Sequence, residues 1–301
     1  MKIFTMTCSR IASRYFSTKK IALPAAAGIV LVLAAIPVLA ATHYFQGFET
    51  DTFDWSGVTR VASGTDGITS AAGAFHAEAT SATAPNTTGD FTQFGGYEST
   101  FPAGGYTTSM DVYLDVGASN NDTRFDWSSA IGMPDGTFRR DFVFNAGFYN
   151  DSDVTGTGPR FVISASNNAT RSAAFPKNPG RDPFTITTTG WYTFEHHFRN
   201  AGLGVLAVDL RITMLDGTPL HTWTLSDPTD IIGTTVGGHR YGWIVIQEFP
   251  ILAIDNVSLL SVNQAGNAAA CKNEGWQHLT RADGSLFKNQ GDCIQYVNTG
   301  K

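Results

Sequence analysis

The sequence predicts an all-β domain, built as a two-sheet antiparallel sandwich, with an export signal before it and a small disulfide-closed tail after it. Three observations predict this. Apolar and polar residues alternate along many short segments, and clusters of Gly, Asn, Asp and Pro separate those segments. No amphipathic helix of useful length follows the N-terminal apolar run.

The first element is the signal, residues 1–41. Lys2, Arg10, Arg14, Lys19 and Lys20 precede an apolar run from Ile21 to Ala41 that closes on the small-residue pattern Val38-Leu39-Ala40. Cleavage is expected after Ala40 or Ala41. An uncleaved anchor is the alternative, since ~20 apolar residues span a bilayer, but Pro24 and Pro37 interrupt the run. Either way the remainder is exported, and a membrane is met only through this segment if it is retained. Removing residues 1–40 takes away five basic and no acidic residues, so the formal net charge of −6 becomes −11. A domain this acidic repels phosphate backbones, which excludes nucleic acid as a natural partner.

Residues 42–262 form the sandwich. The segment Leu206-Ala207-Val208-Asp209-Leu210-Arg211-Ile212-Thr213-Met214 puts Leu206, Val208, Leu210, Ile212 and Met214 on one face, the period of two expected of a strand buried on one side. An Asp216-Gly217 turn follows and residues 221–225 return, which reads as a β-hairpin. Residues 142–148 alternate in the same way, and further strands are expected at 107–115, 124–131, 160–165, 191–198, 240–247 and 252–260. About 220 residues of this pattern suit one antiparallel two-sheet domain. An outer-membrane barrel would need more regular strands of ~10 residues.

Residues 263–270 are small and polar and read as a linker. Residues 271–301 form the tail. Cys8 falls in the signal, leaving Cys271 and Cys293 as an even pair in an exported chain, for which a disulfide is the natural reading. It would close a short loop and add about 3 kcal/mol on the chain-entropy estimate. Trp276 is the tail's candidate buried aromatic.

Four segments carry a resemblance: Gln46-Gly47-Phe48-Glu49-Thr50-Asp51 with Trp55, then residues 106–115, then residues 190–196, and the closing strand at 253–259. Together they resemble the concanavalin A-like lectin/glucanase superfamily, in the order of laminin-G-like jelly rolls, where an early strand returns beside the last. The tail resembles short Cys/Trp modules at the ends of secreted bacterial proteins. The resemblance implies a jelly-roll fold, and its members include sugar binders, hydrolases, lyases and adhesion modules; function sits in the site and not in the fold.

Catalytic signatures are missing. The glucanases of that superfamily carry Glu, Asp and Glu at alternating positions of one strand, and here Glu49, Glu78, Glu98, Glu195, Glu248 and Glu274 lie on separate segments. The Gln-Ile-His and Tyr-x-Lys-x-Gly-x-Tyr patterns of its lyases are absent, as are a nucleophile elbow, a P-loop and a zinc-protease helix. His196 and His197 are adjacent in a strand and point to opposite faces. His196 shares a face with Tyr192, Phe194 and Phe198 and reads as a core residue.

Strand parity gives the ligand-binding candidates. If the apolar faces pack inward, the opposite faces present Arg139, Asp141, Asn145 and Tyr149 from one strand, Glu195 and His197 from another, Asp209 and Arg211 from a third, and Tyr241, Trp243 and Gln247 from a fourth. Such a mixture suits neutral sugars; the plainer reading is a set of cross-strand charge ladders with Tyr241 and Trp243 in the core. Asp151 and Asp153 in a polar loop offer hard oxygen ligands for a structural calcium, and no other cofactor is expected. The sequence therefore favours an exported, non-catalytic domain that binds glycan or another extracellular surface component. The alternatives are a glycan-cleaving enzyme with carboxylates gathered from separate strands and an adhesive module without a small-molecule site.

Overall fold

The computed structural model describes residues 41–79, 89–117, 121–167, 176–247, 249, 251–261, 268–269, 271–272, 276, 279, 281 and 287–299. The signal at 1–40, Cys8 and most of the 263–270 linker lie outside the described residues. Among the described residues no helix is long and apolar enough to cross a membrane.

Two antiparallel sheets face each other as a jelly-roll sandwich. The first has the order β15 (Pro219–Ile231), β14 (Val205–Met214), β13 (Gly190–Asn200), β6 (Tyr106–Leu114), β17 (Leu252–Ser261), β4 (Phe75–Ala79) and β3 (Val58–Ala62), with β1 (Ala41–Gln46) also paired to β17. The second has the order β12 (Phe184–Ile186), β11 (Arg160–Asn167), β8 (Phe138–Tyr149), β7 (Thr123–Gly132), β16 (His239–Gln247), β5 (Asp90–Thr92) and β2 (Trp55–Ser56). A small hairpin, β9 (Ser152–Asp153) with β10 (Gly156–Thr157), projects beyond β8. The early strand β1 lies beside the closing strand β17.

The sandwich forms because alternation puts one continuous apolar face on each sheet. Met110, Val112 and Leu114 of β6, Phe194 and Phe198 of β13, and Leu206, Val208, Leu210 and Ile212 of β14 are all at most 1% exposed. They meet the aromatic face of the second sheet: Phe144 lies edge-on to Phe194 at 5.0 Å, and Phe142 edge-on to Phe198 at 5.6 Å. Each buried ring contributes about 1.5–3 kcal/mol from area alone, and each edge contact about 0.5–1.5 kcal/mol more. Trp127 fills the centre, and a side chain on Gly242 of neighbouring β16 would collide with its ring. That close approach fixes which face of β16 is inward: Gly242, Ile244 and Ile246 pack in, and Tyr241 and Trp243 face out. His196 sits in the core as its parity predicted, against Trp127 and Phe144. Burial pushes its pKa down to about 3, so it is neutral at physiological pH.

The expectation that no helix follows the signal is corrected. Gln290–Thr299 is an α-helix. Its composition hides it, since Gly291, Asn298 and Thr299 are weak helix formers. Capping and the disulfide specify it instead: Asn289 accepts the Asp292 N–H at 2.9 Å, Asp292 accepts the Lys288 N–H at 2.8 Å, and Cys293 is bonded to Cys271. Cys271, Cys293 and Phe287 form a small core of their own, with Trp276, Leu279 and Tyr296 packed against it.

Candidate functional site

The structure divides the predicted ligand residues between two faces. Glu195, His197, Asp209 and Arg211 lie on the outer face of the first sheet, where His197 pairs with Asp209 and Glu195 with Arg211 across β13 and β14. Asp141, Asn145, Tyr149, Tyr241 and Trp243 lie on strands of the second sheet. Gln247 pairs through its backbone with Arg124 in the same sheet. One cleft does not hold both groups.

On the first sheet the four residues spend their polar atoms on one another. Arg211 donates to Glu195 at 3.0 Å and lies 3.2 Å from His197 Nδ1, while Arg199 forks onto both oxygens of Asp209 at 2.7 and 2.9 Å. Thr224 also donates to Asp209, at 2.7 Å. Burial pushes the Asp209 carboxyl up, but the Arg199 and Thr224 hydrogen bonds outweigh it and hold the group well below the usual carboxylate range. Burial and the Arg211 charge lower the His197 pKa, which keeps that ring neutral. This is a closed cross-strand charge ladder.

Further across the same face, Asp111 and Asp255 stand directly opposite each other on β6 and β17. They are carboxyls gathered from separate strands, the arrangement a glycan-cleaving site would use. Both are buried, at 6% and 0% exposure. Asp111 accepts from Thr193 at 2.6 Å and from Asn256 at 2.9 Å, and Asp255 accepts from the Ala72 N–H at 3.1 Å. Segment 69–74 lies over them, held by Trp191 Nε1 on the Thr69 carbonyl at 2.7 Å and by Ser70 Oγ, 3.0 Å from His76 Nδ1. A glycosidic bond reaches these carboxyls only if that segment leaves.

The second sheet is different. Register places Phe91, Trp243, Ser128, Val143 and Ser166 in one row across five strands, and Val245, Asp126, Asn145 and Ser164 in the next. At the β5–β16 end the rings are in contact. Phe91 lies 5.4 Å from Tyr241, and Phe138 stacks on Tyr241 at 6.3 Å with the planes 8° apart. Phe138 is 40% exposed and neighbouring Tyr97 48%, with the Arg240 guanidinium over the Tyr97 ring at 4.6 Å. Tyr241 is hydrogen-bonded to Asp141, and burial with that neighbouring carboxylate pushes the phenol far up, so it stays protonated. Further along, Asn145 donates to Asp126 at 2.7 Å and accepts from Ser166 at 2.5 Å. Asn145 and Tyr149, expected on a wet face, are buried at 0% and 2% exposure.

Two assignments change. Arg139 has the parity of Asp141, but a register shift between Ile131 and Gly132 accompanies its departure from the face. It donates through Nε to Asp230 at 2.8 Å and through Nη2 to Thr229, so it is a structural ion-pair partner. Asp151 and Asp153 meet cations already in the chain: Arg160 donates to both, at 3.2 and 2.7 Å, and Lys177 bridges the same two carboxylates. A calcium ion there would have to displace a guanidinium and an ammonium, and among the described residues no group of three or more His, Cys, Asp or Glu side chains is placed to hold a metal.

A cleft of ~590 Å³ that no local pattern announces lies at the edge of the sandwich, where β15 faces β11 and the turn before β12. Trp223, Arg181, Asp182, Asn178, Ser166 and Thr222 line it. In the sequence Trp223 is part of a returning strand and residues 177–183 are a turn, and neither pattern marks a site.

No family model matches the sequence, and no curated protein does. Among solved structures, the chain is similar to a marine alginate lyase from Aplysia kurodai, with a TM-score of 0.43 and 9% identity over 74% of this chain and 100% of that one. It is similar to a carbohydrate esterase from a Shiga toxin-encoding bacteriophage, with a TM-score of 0.42 and 10% identity over 74% and 99%. It is also similar to an endo-β-1,4-glucuronan lyase from the fungus Trichoderma reesei, with a TM-score of 0.33 and 10% identity over 73% and 91%. At such scores these likenesses carry nothing about chemistry or membership of a family.

Proposed function

We propose that the chain is an exported, non-catalytic carbohydrate-binding domain of the concanavalin A-like kind, and that it holds a glycan against the outer face of its second sheet. The observation that carries this reading is the aromatic strip Phe91–Tyr241–Phe138, three rings in contact on one sheet face, with Phe138 40% exposed. Fixed rings on a sheet offer flat apolar area at little entropic cost. Asp141 at Tyr241 supplies a fixed polar group next to that area. The burial of Asp111 and Asp255 beneath segment 69–74 favours binding over cleavage. Export is supported by the N-terminal pattern and by the disulfide, which suits an oxidising compartment.

The test is a glycan array on residues 42–301, with reducing-end release measured for every hit. The double variant Phe138→Ala/Tyr241→Ala is expected to lose at least tenfold in affinity for the best hit while its melting temperature stays close to that of the parent. Unchanged affinity would remove the strip from the reading, and release of reducing ends or unsaturated products would make the protein an enzyme.

A further inference from the structure

The edge cleft stands apart from the aromatic strip. Ser166 on its rim is three strand spacings from Trp243 along one row, about 14 Å at ~4.8 Å per strand. At ~590 Å³ it falls in the size range of small-molecule sites, ~300–1,000 Å³.

Its walls are tied in place from both sheets. Asn178 accepts the Gly180 N–H at 2.9 Å and so fixes the turn that carries Arg181. Trp223 Nε1, from the edge strand of the first sheet, donates to the Asp182 carbonyl at 2.8 Å. His221 Nε2 lies 3.0 Å from the Asp182 carboxylate, and Phe184 stacks on the His221 ring at 5.1 Å. Asp182 itself is in the left-handed region, at φ 50°. Bonds from β15 join the turn's own, from the Asp182 N–H to the Pro179 carbonyl and from the Arg181 N–H to the Asn178 carbonyl, in holding it. A cleft already held in one shape loses little freedom on binding.

The lining chooses the ligand. Arg181 and Asp182 are adjacent and of opposite sign. An anion drawn by Arg181 meets the carboxylate, and a cation drawn by Asp182 meets the guanidinium. A neutral polyol satisfies both, because each hydroxyl donates and accepts. Thr222 adds a hydroxyl and Asn178 an amide beside these two, while Trp223, Leu225 and Ala165 form an apolar wall. We propose that this cleft is a second carbohydrate site, which takes the terminal ring of a neutral sugar.

The test is saturation-transfer NMR on residues 42–301 with the methyl pyranosides of glucose, galactose and mannose, and with galacturonate as the charged control. At least one neutral glycoside is expected to bind. Its affinity should fall at least fivefold in Arg181→Ala and in Thr222→Trp, which places an indole over the mouth from an exposed position. It should persist in Phe138→Ala/Tyr241→Ala. The proposal is overturned if no neutral glycoside binds, if galacturonate alone binds, or if binding survives Thr222→Trp. Loss of binding in the strip variant alone would also overturn it, while leaving the aromatic strip as the sugar site.

Discussion

Asp230→Ala is expected to cost the sandwich about 3–5 kcal/mol, the loss that follows when one partner of a buried ion pair is removed. Asp230 is 1% exposed near the end of β15, in the first sheet. Two guanidiniums of β8, in the second sheet, converge on it. Arg139 Nη2 lies 2.7 Å from Oδ1 and Arg140 Nε 2.8 Å from Oδ2. Arg140 is itself only 7% exposed, so without the carboxylate two like charges remain side by side with little water to screen them. Asp227 also touches Arg140, at 3.2 Å, but its side chain is 32% exposed. Asp227→Ala should therefore cost no more than about 1 kcal/mol. Urea midpoints of the two variants decide the matter, and equal losses would show that Asp230 is no keystone. The consequence reaches the strip, because Phe138 and Asp141 flank Arg139 and Arg140 on β8. A loosened start of β8 would weaken glycan binding together with stability.

Arg139 also shows where reading the sequence stops. Alternation within a strand is a local property, so β8, β13 and β14 were legible, while the direction of Tyr241 and Trp243 stayed open between ligand face and core. Which sheet a strand joins is set by pairing with distant residues. Asp141 and Asp209 have equal claims by parity, yet the first faces out from one sheet and the second from the other. Arg139 departs from parity through a register shift, and its partner Asp230 is 91 residues away in sequence. Strands of two or three residues, such as β2 and β5, are too short to show a period. Phe91 therefore carries no local mark, and only the register of β5 sets it opposite Trp243. The edge cleft has no local signature at all, since it exists only where β15 faces β11.

Asp90 is expected to take stability away as pH rises from about 4 to about 7, the reverse of the ordinary carboxylate contribution. Asp90 is 3% exposed on β5, and burial pushes its pKa from 3.8 up to about 7. Asp255 is pushed up to about 6 by burial, against the Ala72 and Asn256 N–H groups and with help from the neighbouring Asp111 carboxylate. A carboxyl whose folded pKa lies above its unfolded value binds more protons in the native state. Its contribution is complete below about pH 4 and is lost as pH climbs through the folded value. At ~1.4 kcal/mol per pKa unit, ionising Asp90 alone costs on the order of 4 kcal/mol. Asp209 and Asp153 work in the opposite direction: bonds from Arg199 and Thr224, and from Lys177 and Thr155, overcome burial and hold these carboxyls low. Their contribution is present above about pH 4 and is lost only in stronger acid. His196, held at about 3 by burial, opposes Asp90 over nearly the same window, since a buried neutral histidine adds stability as pH rises from about 3 to 6.5, so the Asp90 contribution is read as a difference between variant and parent. Asp90→Asn isolates the larger rising term, because burial is the cause of the Asp90 shift and an amide of the same shape carries no charge. In thermal unfolding, the variant should gain little over the parent at pH 4.5 and clearly more at pH 8. The same pH response in parent and variant would mean that Asp90 ionises without cost, and that the β5 edge beneath the aromatic strip is open to water.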